Sequence, residues 1–198
     1  MQTKRVFFVG VGGQGNILAT KLVGEAAVLA GTRISISETH GMAQRGGVVE
    51  STAVIGGASP IISDSEADVI VAFEPLEALR ALRKANPKTI LITSLAQIQP
   101  FTVSLGQGEY PALDKILQLL EDKVDKVVAF DAMELARSAG NPLGVNMVML
   151  GALMAVGDIN LPEEYLREAI STKTKAAFVE ANLQCFDAGL ETARRILG

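Results

Sequence analysis

The sequence predicts an α/β fold, Rossmann-like, with a largely parallel sheet flanked by helices and a helical C-terminal part. Three observations predict it. Continuous β-branched and aromatic runs, such as "RVFFVGV" at 5–11, have the character of strands buried on both faces. These runs alternate with stretches of helical periodicity, as in βα units. From Asn141 onward only helical patterns remain.

The elements follow in order. After the first strand come glycines and then "NILATKLVGEAAVLAG", where Ile17, Leu18, Leu22 and Ala26 recur at helical spacing and Gly31 suits a C-terminal cap. "TRISISE" alternates and reads as a second strand, and "VVESTAVIG" as a third. "ADVIVAFEP" is a further buried strand, and its Pro75 begins the amphipathic helix "PLEALRALRKAN". "KTILITS" and "KVVAFDA" complete the strands, while "SLGQGEYPALDK" reads as a connection or edge piece. Three helical stretches close the chain: "NPLGVNMVMLGALMAVG", "LPEEYLREAIS" and "KTKAAFVEANLQCFDAGLETARRIL". "VGDIN" lacks the rest of a thiamine-diphosphate and magnesium motif and reads as a turn. Residues 1–198 are expected to form one unit, with an α/β core over 1–140 and a helical part over 141–198.

Composition excludes several classes. Hydrophobic residues make up 48% and charged residues 20%, a balance that buries a core. The net charge of -4 argues against nucleic acid, whose phosphates want a basic surface. Cys185 is the single cysteine, so an internal disulfide, a structural zinc site and an iron–sulfur cluster are all excluded, and a reducing cytoplasm is the expected compartment. The N-terminal apolar run is broken by glycines, which suits a strand better than a signal peptide. The later run "LGVNMVMLGALMAVG" has about 15 residues, short of the roughly 20 that span a bilayer, so no membrane is expected.

Two stretches carry candidate function. "GVGGQG", Gly10 to Gly15, fits G-x-G-x-x-G, follows a strand and opens a helix. Gly12, Gly13, Gln14 and Gly15 would let backbone N–H groups face an anion at the helix N-terminus. Glu38 ends the second strand, about where a dinucleotide fold keeps its ribose-binding acid. Close packing of the first helix would need the same glycines, and the motif alone leaves both readings open. No G-x-x-x-x-G-K-[ST] occurs, which excludes a P-loop NTPase.

The second stretch is "SETHGMAQRGGVVES", Ser37 to Ser51. His40 is the only histidine, with no second metal ligand and no nucleophile nearby in sequence; Cys185 reads as core. Arg45 sits among Gly41, Met42, Gln44, Gly46 and Gly47, where glycine lets backbone approach closely and a guanidinium can grip a carboxylate or phosphate bidentately. This composition suits a loop that contacts a ligand or partner; an ordinary solvated loop is the alternative.

At this point a resemblance becomes specific. "VGVGGQGNILATKLV", "ETHGMAQRGGVVES", "SDSEADVIVAFEPLEALR" and "GNPLGVNMVMLGAL", in that order, resemble the gamma subunit or domain family of the 2-oxoacid:ferredoxin oxidoreductases. The wording "HGMAQRGG" is nearest to the small (beta) subunits of the indolepyruvate branch. The likeness spans nearly the whole chain and ends with a tail from Phe178 to Gly189. It implies a subunit without cofactors of its own, inactive when isolated. Thiamine diphosphate, Mg and [4Fe-4S] clusters would belong to a large (alpha) subunit, and ferredoxin and coenzyme A would be engaged through the complex. Under that resemblance His40 to Gly47 form a partner-facing loop with no catalytic residue assigned. A free-standing NAD(P)-binding oxidoreductase and a purely structural assembly subunit remain alternatives. An adenylating or tubulin-like protein, whose glycine loop "GVGGQGN" echoes, lacks its later signatures here.

Overall fold

Along β1 (Lys4–Val11) the pleat sends Val6 and Phe8 to one face and Phe7 and Val9 to the other, and all four are buried. A continuous apolar run is what a strand covered on both faces requires. The structure is a computed structural model and describes residues 2–40, 47–99, 103, 108–157 and 159–198.

The chain continues through α1 (Asn16–Leu29), β2 (Ile34–His40), β3 (Val48–Ile55), β4 (Val69–Ala72) and α2 (Pro75–Ala81). Then come β5 (Ile90–Ser94), α3 (Leu113–Glu121), β6 (Lys126–Phe130) and α4 (Ala132–Ser138). Three helices end it: α5 (Val145–Ala155), α6 (Glu163–Lys173) and α7 (Val179–Leu197). The described strands form one sheet in the order β2-β3-β1-β4-β5-β6. β1, β4, β5 and β6 pair in parallel, as expected. β3 is antiparallel to both of its neighbours, β1 and β2, so the sheet is mixed.

Local chemistry explains the helix ends. Glu74 caps α2, its Oε2 accepting from Glu77 N–H at 3.0 Å, and Pro75 takes the first helical position. Gly31, with φ of 63°, follows α1 as the expected cap, and Gly31 N–H donates to Val28 O at 3.0 Å. The amphipathic helix from Pro75 ends sooner than expected, at Ala81, and a 3-10 turn covers Leu82–Lys84. Neither α3 nor α4 is among the expected helices. α3 does carry a helical apolar pattern, burying Ile116 and Leu120 with Leu117 packed beside them, whereas α4 buries only Ala132 and Ala136, which is little apolar signal for a helix.

Two apolar clusters lie on the two faces of the sheet. On the larger one α5 and α7 pack backbone to backbone. A Cβ on Gly151 would stand 1.9 Å from Phe186 O, and one on Gly189 would stand 1.9 Å from Val148 O. Only glycine allows that approach. Among the described residues, no helix is long and apolar enough to cross a membrane.

Candidate functional site

β1 and β2 end, and β3 begins, at the same edge of the sheet, because β3 runs antiparallel to both. The glycine loop, the end of β2 and the start of β3 therefore share that edge. One bond ties them: Gly12 N–H donates to Gly47 O at 2.8 Å. Asn16, buried in the first turn of α1, adds a second tie. Its Nδ2 donates to Val49 O at 2.7 Å, and its Oδ1 accepts from Ser51 Oγ at 2.9 Å.

Within the glycine loop, Gly13 has φ of 107° and Gly15 has φ of 83°, values that side chains strain to adopt. A Cβ on Gly15 would also meet Asn146 Nδ2 at 2.9 Å, so α5 closes directly over this turn. Gln14 braces the loop from inside. Val11 N–H donates to Gln14 Oε1 at 2.7 Å, and Gln14 Nε2 donates to Phe73 O at 2.8 Å. Outside lies a cleft of about 340 Å³, lined by backbone and side chains of Val11–Gly13, Gly15–Leu18 and Val49. Among the described residues, no titratable side chain lines it. The described lining can present peptide dipoles and apolar surface, and holds neither an acid–base pair nor a nucleophile.

Glu38 stands elsewhere than a dinucleotide fold would put it. β3 intervenes between β2 and β1, so Glu38 is two strand spacings from the glycine loop, roughly 9–10 Å. It is paired in register with Ser51, and its carboxylate lies 3.9 Å from Lys21 Nζ. Local alternation identified the strand, but local sequence does not say which strand will be its neighbour.

For His40 the structure describes the backbone, in register with Val49. Gly41, Met42, Gln44, Arg45 and Gly46 lie outside the described residues.

The next strand end carries a buried acidic pair that the motifs did not single out. Glu74 and Glu77 are 1% and 3% exposed. Glu74 Oε1 accepts from Ile98 N–H at 3.2 Å and from the Tyr110 hydroxyl, so one carboxylate ties these two residues together. Burial, then the bond to Glu74, pushes the Tyr110 phenol up. Glu77 Oε1 accepts from Arg80 at 2.6 Å, while its Oε2 has no partner among the described residues. Burial raises the Glu77 carboxyl; Arg80 opposes this, and Glu74 adds to it. A carboxylate just after an apolar strand, as in "AFEPLE", was the available signal.

The donor sets do not fit a metal or a cluster. Among the described residues, no three His, Cys, Asp or Glu side chains gather to hold an ion. Cys185 is buried, its Sγ lies 3.8 Å from the carbonyls of Ala136 and Asn141, and burial pushes the thiol up, away from the thiolate a cluster needs.

Comparison with known proteins adds to this geometry. The sequence profile of the pyruvate ferredoxin/flavodoxin oxidoreductase family matches residues 5–192. The indolepyruvate oxidoreductase subunit IorB of Methanothermobacter thermautotrophicus is 40% identical over 189 residues, covering 95% of this chain and 96% of that protein. The IorB subunit of Thermococcus kodakarensis is 36% identical over 203 residues, covering 100% of both chains. The crystal structure of a keto/oxoacid ferredoxin oxidoreductase gamma subunit from Geobacter sulfurreducens superposes with a TM-score of 0.70 at 25% identity. That match covers 96% of this chain and 98% of the other.

Proposed function

The chain belongs to the pyruvate ferredoxin/flavodoxin oxidoreductase family, and from that premise we propose that it is the small subunit of an indolepyruvate-oxidising enzyme. The overall reaction joins a 2-oxoacid, coenzyme A and oxidised ferredoxin to give an acyl-coenzyme A, carbon dioxide and reduced ferredoxin. Thiamine diphosphate with Mg and the iron–sulfur clusters reside in the large subunit and supply decarboxylation and electron transfer there. This chain carries none of them and works in the cytoplasm. Its edge with the glycine loop and the 37–51 loop faces the large subunit and completes the surroundings of the active region.

The observation that carries this reading is the Gly12–Gly47 bond. It joins two family-like motifs, distant in sequence, into one surface whose cleft, among the described residues, is lined by no titratable group. Such a surface suits contact and presentation better than chemistry. Gly12, Gly13 and Gly15 shape it; of the motif His40 to Gly47, Arg45 is proposed to grip a partner carboxylate or a phosphate of coenzyme A.

Co-expression with the large subunit, followed by separation of the chains, tests this. The small chain should come away colourless, without iron or thiamine diphosphate, and a broad absorbance near about 400 nm should stay with its partner. Cluster absorbance on the small chain would overturn the reading. So would tight nucleotide binding by the isolated chain: a micromolar dissociation constant for NAD or NADP, about 8 kcal/mol by calorimetry, would restore the dehydrogenase alternative.

A further inference from the structure

Beside the glycine cleft lies a second groove of about 290 Å³, and the two share Leu18. It is framed by Asn141–Met147 at the start of α5 and by Lys173–Phe178 between α6 and α7. Three large apolar side chains on its walls stand in water: Leu143 is 89% exposed, Phe178 51% and Leu18 41%. Among the described residues, the groove's lining includes Lys173 and Lys175 and no carboxylate, in a chain whose net charge is -4.

Leu143 is held outward by built structure. Its own N–H donates to Asn141 Oδ1 at 3.2 Å, and Gly144 N–H donates to Asn141 O at 2.8 Å. Asn141 Nδ2 donates to Asn182 Oδ1 at 2.9 Å, and Asn182 Nδ2 donates to Thr174 Oγ1 at 3.1 Å. Asn182 is buried, so this chain of amides anchors the turn to α7 and to the end of α6. A leucine fixed in water gains nothing for the free chain. Fixed in advance, it loses little freedom when something covers it.

Resting on the subunit reading above, we propose that this groove is a docking surface for the large subunit. It receives a segment that sets an apolar side chain against Leu143 and Phe178 and a carboxylate against Lys175. Lys173 is already paired with Glu25 at 2.9 Å, which makes Lys175 the contact for the incoming acid. The groove continues into the glycine cleft through Leu18, so one partner surface covers both. A second copy of this chain fits worse, because a two-fold contact through the groove would bring like lysines together.

The test measures dissociation constants for the small and large subunits at two salt concentrations. The variants are Leu143→Asp, Leu143→Ala, Lys175→Glu and the control Val28→Asp. Val28 is 69% exposed on the same helix as Leu18, ten residues along and so about 15 Å away. Leu143→Asp should weaken association by about tenfold or more, and Leu143→Ala should move it in the same direction. Lys175→Glu should weaken association and flatten its salt dependence. Val28→Asp should stay within about twofold of wild type, and the free chains should keep their melting temperatures. If the groove variants bind within about twofold of wild type while the wild-type complex forms normally, the proposal is overturned and the subunit reading stands. If the free wild-type chain sediments as a dimer that Leu143→Asp breaks, the groove is a homotypic face and the proposal is again overturned. If the wild-type chains do not associate at all, the subunit reading fails and this one with it.

Discussion

Gly151 and Gly13 are the same residue type in two regions that ask different things of it. At Gly151 an added Cβ would strike Phe186 O at 1.9 Å, within the contact where α5 and α7 meet. At Gly13 an added Cβ would meet nothing within 4 Å, and the demand is φ of 107°. The first is a requirement of packing between two helices of the C-terminal part. The second is a requirement of backbone shape at an open edge. The α5–α7 contact therefore holds the fold together. The glycine-loop edge is left open, and it is the face that the proposed function gives to a partner.

The largest expected effect belongs to the packed side. Gly151→Ala or Gly189→Ala must push α5 and α7 apart and should destabilise the chain by about 3 kcal/mol. A scan would show a melting temperature lower by roughly 6–12 °C. A change under about 1 kcal/mol would mean that the helices slide easily and that the contrast is weaker than drawn.

Next comes a residue of the open side. Arg45→Ala should leave the melting temperature of the free chain unchanged while lowering complex formation or coenzyme-A-dependent activity. The expected loss is one charge-assisted hydrogen bond, roughly 1.5–3 kcal/mol. Arg45→Lys keeps the charge and loses the fork, so it should fall between wild type and alanine. A free chain that melts much earlier, with full activity once assembled, would make Arg45 structural.

Smaller again is Gly13→Ala. With open space around it, only the left-handed backbone opposes the change, so the cost should be about 1 kcal/mol on thermal unfolding. A penalty as large as that of Gly151→Ala would show hidden packing at the loop.

The smallest effect concerns Glu77, buried near the same edge with one oxygen unpartnered among the described residues. Burial raises its carboxyl above the ordinary 4.5, so the folded chain keeps a proton that the unfolded chain has released. Its contribution to stability is present below about pH 4.5 and is lost as pH rises through the raised value. Glu77→Gln removes that dependence. The variant should therefore lose less stability than wild type between about pH 4.5 and 7, a difference under about 1 kcal/mol. Identical pH profiles would place the orphaned oxygen in contact with water.

Sequence periodicity made the strands, α1 and the three closing helices legible: most bury several apolar residues in a regular pattern, and β2, at the end of the strand order, alternates with its isoleucines half-buried. α3 is legible too, with Ile116, Leu117 and Leu120 at helical spacing, but the glycine and proline just before it suggest a connection; α4, which buries only alanines, gives no such pattern. Nor could periodicity place β3 between β1 and β2, because strand neighbours are chosen by long-range packing. The same limit applies to the glycine loop: Gly12 and Gly47 are each visible in sequence, but their bond is not. Leu143 reads as part of an apolar helical run. In the structure it precedes α5 in a turn held by Asn141. Asn141 and Asn182 are far apart in sequence, so no local pattern announces their bond.

The contrast between the two regions can be tested in one experiment: hydrogen exchange of the chain, free and bound to its large subunit. Backbone amides of 11–18 and 47–49 should slow on binding. Those of 148–153 and 186–193, at the α5–α7 contact, should exchange at the same rate in both states. Protection confined to the α5–α7 segments, with the glycine-loop edge unchanged, would contradict a partner-facing role for that edge.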